Sequence, residues 1–178
     1  LTQAFQHGES SPSSAREFEE FVRARIGPHL SRINLGIQNP EPHPHVFPDI
    51  LIGEFGIELK HTTGDSWRTV GNSVFEGGRG DDVRHVYVVM GKMGGIPAVR
   101  WSRYEDAIIH VRTSHRPRFE IEINSERSLF QEMGVSYDEF VRLMYENNSN
   151  GDWEEFADEA KKLNWVNHVI TEIREVGL

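Results

Sequence analysis

The sequence predicts an α/β (α+β) fold: a mixed central β-sheet flanked by helices, with a helical C-terminal part. Three observations carry this. Apolar residues recur at helical spacing from Phe18 to Ile26, short β-rich runs follow one another between Ile50 and Ile123, and helix-opening pairs at Ser136/Glu139 and Asp152/Glu155 introduce apolar stripes in the last third. With 178 residues, 37% hydrophobic content and ten Phe, the chain is long and apolar enough for a real core. The expected layout is a loose polar arm over 1–13, a core over 14–126 and a helical part over 127–178 that packs on the core or forms a dimer interface.

Taken in order, Ser14 and Glu17 form a capping box, and Phe18, Phe21, Val22 and Ile26 form one stripe of a helix that ends at Gly27 and Pro28. Glu19 lies at the edge of that stripe, while Glu17 and Glu20 lie further round. From His29 to Pro48 three prolines before Pro48 and the polar pair Gln38 and Asn39 predict an extended connection with no helix. Ile50 to Ile52, a turn over Gly53 to Gly56, and the alternating Ile57 to Lys60 predict a β-hairpin. The period of two sends Ile57 and Leu59 to the core and puts Glu58 and Lys60 together on the other face. His61 alternates to the core side, as a hydrogen-bonded, partly buried histidine.

Residues 61–80 mix hydroxyls, glycines, Trp67 and two Arg, which reads as a loop built for contact. Val83 to Met90 is nearly continuous in apolar residues towards its end, the pattern of a central strand covered on both faces. Ala98 to Arg103, Ala107 to Arg112 and Arg118 to Ile123 give three more strands. The last third is helical, with a stripe from Trp153 to Ile173.

The hairpin carries the chemistry. Neighbouring strands lie about 4.8 Å apart, so Asp49 at the open end of the first strand comes beside Glu58 of the second, with Lys60 one step along. Two hard oxygen ligands suit Mg²⁺, which keeps open positions for water and a phosphate oxygen. Lys60 can orient the attacking water or neutralise growing charge. Charge is distributed to match: the chain has a net charge of -9, yet residues 84–118 carry +5 between acidic flanks, where a phosphate backbone needs cations.

Pro48 and Asp49, an eight-residue spacer, then Glu58 and Lys60 resemble the signature of the PD-(D/E)xK nuclease superfamily, whose restriction-endonuclease-like members carry it on adjacent strands. The resemblance implies a restriction-endonuclease-like core with Asp49, Glu58 and Lys60 as catalytic residues and Mg²⁺ as cofactor, Mn²⁺ substituting for it. It implies metal ligation by Asp49 and Glu58, with Glu19 as the further acid from the preceding helix and Glu20 as second choice. It also implies endonucleolytic cleavage of double-stranded DNA by a homodimer, of restriction type, with a cognate DNA methyltransferase as partner. Candidate DNA contacts are Thr62, Ser66, Trp67, Arg68, Asn72 and Arg79 in the polar loop, and Arg112, His115, Arg116 and Arg118 about the last strand pair.

Other readings stand beside it. A structure-selective nickase or junction resolvase uses the same three residues on branched DNA. A non-catalytic DNA-binding module keeps the basic segment without metal dependence, and a Zn hydrolase would be built on His43 and His45, which lack a clear third ligand. With no run of 18 apolar residues, no signal-peptide core and no Cys, the sequence points to no membrane and a cytoplasmic location. Leu1 stands where an initiator Met would, which suggests a domain excised from a longer protein.

Overall fold

The computed structural model describes residues 11–39, 47–74, 82–112 and 118–150, with side chains as far as 144. Within them the fold is mixed α+β, with two sheets and four helices. These residues divide into two units: 11–39, 47–69 and 82–104 form the first, and 70–74, 105–112 and 118–150 the second. The residues of the core expected over 14–126 fall in both units, and the single expected sheet is two.

In the first unit, helix α1 (Ala15–Arg32) starts at Ser14, whose Oγ accepts the Glu17 N–H at 3.2 Å. The other arm of the predicted capping box is missing, because Glu17 Oε2 accepts instead from the Ser13 N–H and Oγ at 2.8 and 2.9 Å. Phe18 and Val22 are buried with Ile50 and Ile52, and Phe21, Ile26 and Leu30 pack against them. Each fully buried side chain of this size contributes about 1.5–3 kcal/mol.

The predicted stop at Gly27 and Pro28 is not used. The helix continues to Arg32 with Pro28 inside it, although proline removes a helical bond at a cost of about 3 kcal/mol. Burial of Leu30 against the core favours continuation, so the last turn of α1 lies where an extended connection was expected. The chain turns at Asn34 instead, whose φ of 56° lets the Leu35 N–H return to the Leu30 carbonyl at 3.0 Å.

Strands β1 (Ile50–Ile52) and β2 (Phe55–Thr62) form the predicted antiparallel hairpin, in the register Ile50↔Ile57, Leu51↔Gly56 and Ile52↔Phe55. Its turn is tighter than expected. Only Gly53 and Glu54 lie between the strands, with Gly53 at φ 58°, the left-handed conformation a two-residue hairpin turn needs at its first position.

Strand β3 (Arg68–Ser73) occupies part of the stretch read as a contact loop, and from Val70 it belongs to the second unit. Strand β4 (His85–Lys92) runs parallel to β2, and β5 (Ala98–Arg103) is antiparallel to β4, giving the order β1-β2-β4-β5. The strand predicted from Val83 therefore begins two residues later, in the interior of the sheet as expected. Alternation holds: Ile57, Leu59 and Val89 pack towards the α1 core, which leaves Glu58 and Lys60 on the face of Val88 and Met90.

The second unit contains the sheet β3-β7-β6, with β6 (Ile108–Arg112) antiparallel to β7 (Arg118–Glu122). Helix α2 (Tyr104–Ala107) precedes β6, and α3 (Leu129–Met133) and α4 (Tyr137–Asn150) follow β7. Phe119, Phe130, Tyr137 and Phe140 form its aromatic centre, with ring centroids 5.5 to 6.1 Å apart. Helix α3, which falls in the part expected to be helical although its capping pair was not singled out, is opened by a complete Ser128/Gln131 capping box and closed by Gly134. At the start of α4 the Glu139 N–H donates to Ser136 Oγ at 3.2 Å, as expected. The arm up to residue 10, His43, His45 and the helix expected from Asp152 lie outside the described residues.

Phe18 is fully buried at the centre of the first unit. Phe18→Ala is expected to cost about 3–5 kcal/mol in urea unfolding; a loss below about 1 kcal/mol would show that α1 is not held by this side chain.

Candidate functional site

The β1–β2 register places Asp49 one step beyond the Ile50↔Ile57 pair, opposite Glu58. Pro48 helps hold it there. The Pro48 ring lies so close over Gly56 that a Cβ at Gly56 would overlap it, so glycine in β2 is what allows the loop before β1 to sit against the hairpin. The Asp49 carboxylate then folds onto β2, where Oδ2 accepts the Leu59 N–H at 2.6 Å. Lys60 Nζ meets Glu58 Oε1 at 2.8 Å. Two acids and one amine are therefore gathered at the open end of the hairpin.

Their electrostatics are unusual for a strand surface. Glu58 is only 5% exposed, whereas a solvated strand face would leave it open. Among the described residues, its Oε2 is buried without a hydrogen-bond partner. Burial pushes the Asp49 carboxyl up to about 7, the adjacent Glu58 charge adds to this, and the Leu59 N–H and Lys60 oppose it. An orphaned carboxylate oxygen next to a carboxyl that resists ionisation is a donor set to which a divalent cation fits, since a cation supplies the missing partner and relieves the repulsion.

Helix α1 and the loop before β1 fix the backbone of this corner. Arg23, its side chain 9% exposed, donates from Nε to Glu19 Oε1, from Nη1 to the Asn39 carbonyl and from Nη2 to the Asp49 carbonyl, each at 2.7 Å. Asn39 Nδ2 reaches the same Asp49 carbonyl at 2.8 Å, while its Oδ1 accepts the Leu51 N–H at 2.7 Å. The Glu19 charge also raises the Asp49 carboxyl. Its carboxylate, however, is held by Arg23, and among the described residues no three His, Cys, Asp or Glu side chains form a metal-holding group. Glu20 pairs with Arg16 on the exposed side of the helix.

Arg23 and Asn39 were missed in the sequence. Arg23 follows Glu19 by four residues, the spacing of a helical ion pair, which was a usable signal. Nothing local announces that both residues reach the carbonyl of Asp49.

The candidate DNA contacts fare unevenly. Thr62 and Ser66 build turns, Thr62 Oγ1 accepting the Gly64 N–H at 3.0 Å and Ser66 Oγ the Arg68 N–H at 3.1 Å. Asn72, expected to offer a donor from a loop, is buried in β3 at 7% exposure. Trp67 lies under a guanidinium, with Arg100 Cζ 4.5 Å from its ring centroid. Arg68 is exposed, as are Arg112 and Arg118, which face each other across the β6–β7 ladder. Arg79, His115 and Arg116 fall outside the described residues. His61, as expected, turns to the α1 side, where its Nε2 donates to the Pro12 carbonyl at 3.0 Å and its ring lies 5.9 Å from Phe18.

Asp49 makes stability depend on pH. Its carboxyl sits at about 7 against an ordinary 3.8, so the folded chain holds that proton more tightly than the unfolded one. The contribution is therefore greatest below about pH 4 and is lost as pH rises to about 7. Asp49→Asn, uncharged throughout, is expected to flatten the decline in Tm over that window in metal-free buffer; parallel curves for the two proteins would contradict the raised pKa.

Among the described residues no helix is long and apolar enough to cross a membrane. Comparison of the chain with known protein families, curated proteins and solved structures returned no match, which leaves the geometry of Asp49, Glu58 and Lys60 to carry the functional reading.

Proposed function

We propose that the chain is a Mg²⁺-dependent endodeoxyribonuclease that hydrolyses DNA phosphodiester bonds, resembling the PD-(D/E)xK enzymes in its catalytic residues. The observation that carries this reading is the paired burial of Asp49 and Glu58, one Glu58 oxygen lacking a partner while the other is bonded to Lys60. Asp49 and Glu58 would hold the ion, which when bound polarises the phosphate and lowers the pKa of water.

The chain's own groups do the rest. The Leu59 N–H orients the Asp49 carboxylate, and Arg23 and Asn39 hold its carbonyl, so this acid is preorganised from both sides. Lys60 Nζ, fixed by Glu58, has further N–H donors with which to position the attacking water or neutralise charge growing on a non-bridging phosphate oxygen. Proton loss from Asp49 would be favoured by a cation held there, whose charge would offset the burial and the adjacent Glu58 charge that together raise the Asp49 pKa.

The leading form of this activity is restriction-type cleavage of double-stranded DNA by a homodimer, in which a cognate methyltransferase protects the host site. The structure-selective nickase is the second form, favoured by the Trp67–Arg100 stack. On supercoiled plasmid with Mg²⁺, the first linearises at fixed sites and the second nicks.

Asp49→Ala and Lys60→Ala are each expected to lower cleavage by about 10²–10³-fold while largely sparing DNA binding. Undiminished cutting by either variant would remove the assigned roles. Independently of activity, millimolar Mg²⁺ should raise the Tm of the wild type at about pH 8 by several degrees and leave Asp49→Ala unmoved. Equal responses would place the ion elsewhere.

A further inference from the structure

The face of the first sheet that carries Glu58 and Lys60 continues across two more strands. Lys60 pairs with Met90 of β4, and Met90 pairs with Arg100 of β5. Directly paired residues point to the same side, so Lys60, Met90 and Arg100 form one row, with buried Met90 as its floor. Arg100 itself is exposed. At about 4.8 Å per strand the row spans roughly 10 Å, or about three base steps of 3.4 Å along a nucleic acid strand.

Arg100 does not extend alone. Its guanidinium lies over the Trp67 ring at 4.5 Å, and Lys92 Nζ is 5.7 Å from the same ring. Lys92 is held in turn by the Asp65 carboxylate and by the Gly94 carbonyl. That contact ties the end of β4 to the loop bearing Trp67, and a backbone bond from the Met93 N–H to the Thr62 carbonyl at 2.9 Å ties it again. The Lys92 charge is consequently offset by Asp65, and its work is to anchor the loop. Trp67, partly exposed, and Arg100, exposed, thus form a stacked pair on a pinned base.

An indole under a guanidinium offers a flat, cationic plane, the surface on which nucleobases stack. A base inside a duplex has both faces covered by its neighbours, whereas an unpaired base has a face to give. We propose that Trp67 and Arg100 form a stacking platform for an unpaired base, about three nucleotides from the phosphate at Lys60. The preferred substrate is then DNA with a single-stranded or bulged segment, which selects the structure-selective form of the proposed activity over the restriction-type form acting on uninterrupted duplex. This rests on the nuclease reading for its substrate, but the platform is a binding property and is tested without cleavage.

The experiment compares labelled oligonucleotides in EDTA by fluorescence anisotropy: a blunt duplex, and the same duplex carrying a three-nucleotide bulge. Wild-type protein is expected to bind the bulged form about tenfold more tightly, the size of one good base stack. Trp67→Ala and Arg100→Ala should each lose most of that preference. In addition, the bulged DNA should quench the emission component that disappears in Trp67→Phe. Equal affinity of the wild type for the two DNAs, or an undiminished preference in both variants of unchanged circular dichroism, overturns the platform. If the preference is present but plasmid is never cut with Mg²⁺, the platform stands and the nuclease reading falls.

Discussion

Repulsion between two carboxylates confined to one mostly buried corner is the constraint around which the first unit is arranged. Desolvation makes an ionised carboxylate costly, and a second one nearby makes it more so. Each neighbouring group offsets part of that cost. The Leu59 N–H and Lys60 stabilise the charged form of Asp49, and Lys60 binds one oxygen of Glu58. Arg23 pairs with Glu19, whose charge nonetheless adds to the repulsion at Asp49, and uses its remaining donors on the backbone of the same corner.

The apolar frame and the polar corner depend on the same elements. Helix α1 buries Phe18 and Val22 and, at the edge of that stripe, delivers Glu19 and Arg23 to the mouth of the hairpin. The hairpin register is equally shared. A slip of one residue in β2 would move Ile57 and Leu59 away from α1 and turn Glu58 and Lys60 into its core, so hydrophobic burial and the meeting of the acids select the same alignment. The overlap of Pro48 on Gly56 reinforces it, since the ring has room only where the strand offers no side chain.

Much of this was legible because it is local. Alternation from Ile57 to Lys60, the stripe from Phe18 to Ile26 and the turn-forming Gly53 are short-range patterns with one sensible reading. The misses involve distance. Pro28 looked like a helix stop, but Leu30 finds the core two residues later. Residues 68–73 looked like a loop because their glycine, hydroxyl and amide content speaks against a strand, yet pairing with β7 decides the matter. The second sheet was invisible for the same reason, as were the bonds of Arg23 and Asn39 to a carbonyl 26 and 10 residues away.

Stability alone gives no reason for the corner to be built this way. A buried ion pair rarely outperforms apolar residues of similar volume, and a buried oxygen left without a partner costs about 1–3 kcal/mol. Val88 and Met90, fully buried on the same face, show that this environment accepts aliphatic side chains. Yet Glu58 and Asp49 occupy it, with Arg23 and Asn39 arranged to keep Asp49 in place. Local choices that conflict with stability are characteristic of functional sites. Here the conflict has a definite chemical remedy, because a divalent cation would satisfy the orphaned Glu58 oxygen and screen the Asp49–Glu58 repulsion at once, while Lys60 already occupies the oxygen that such an ion would leave.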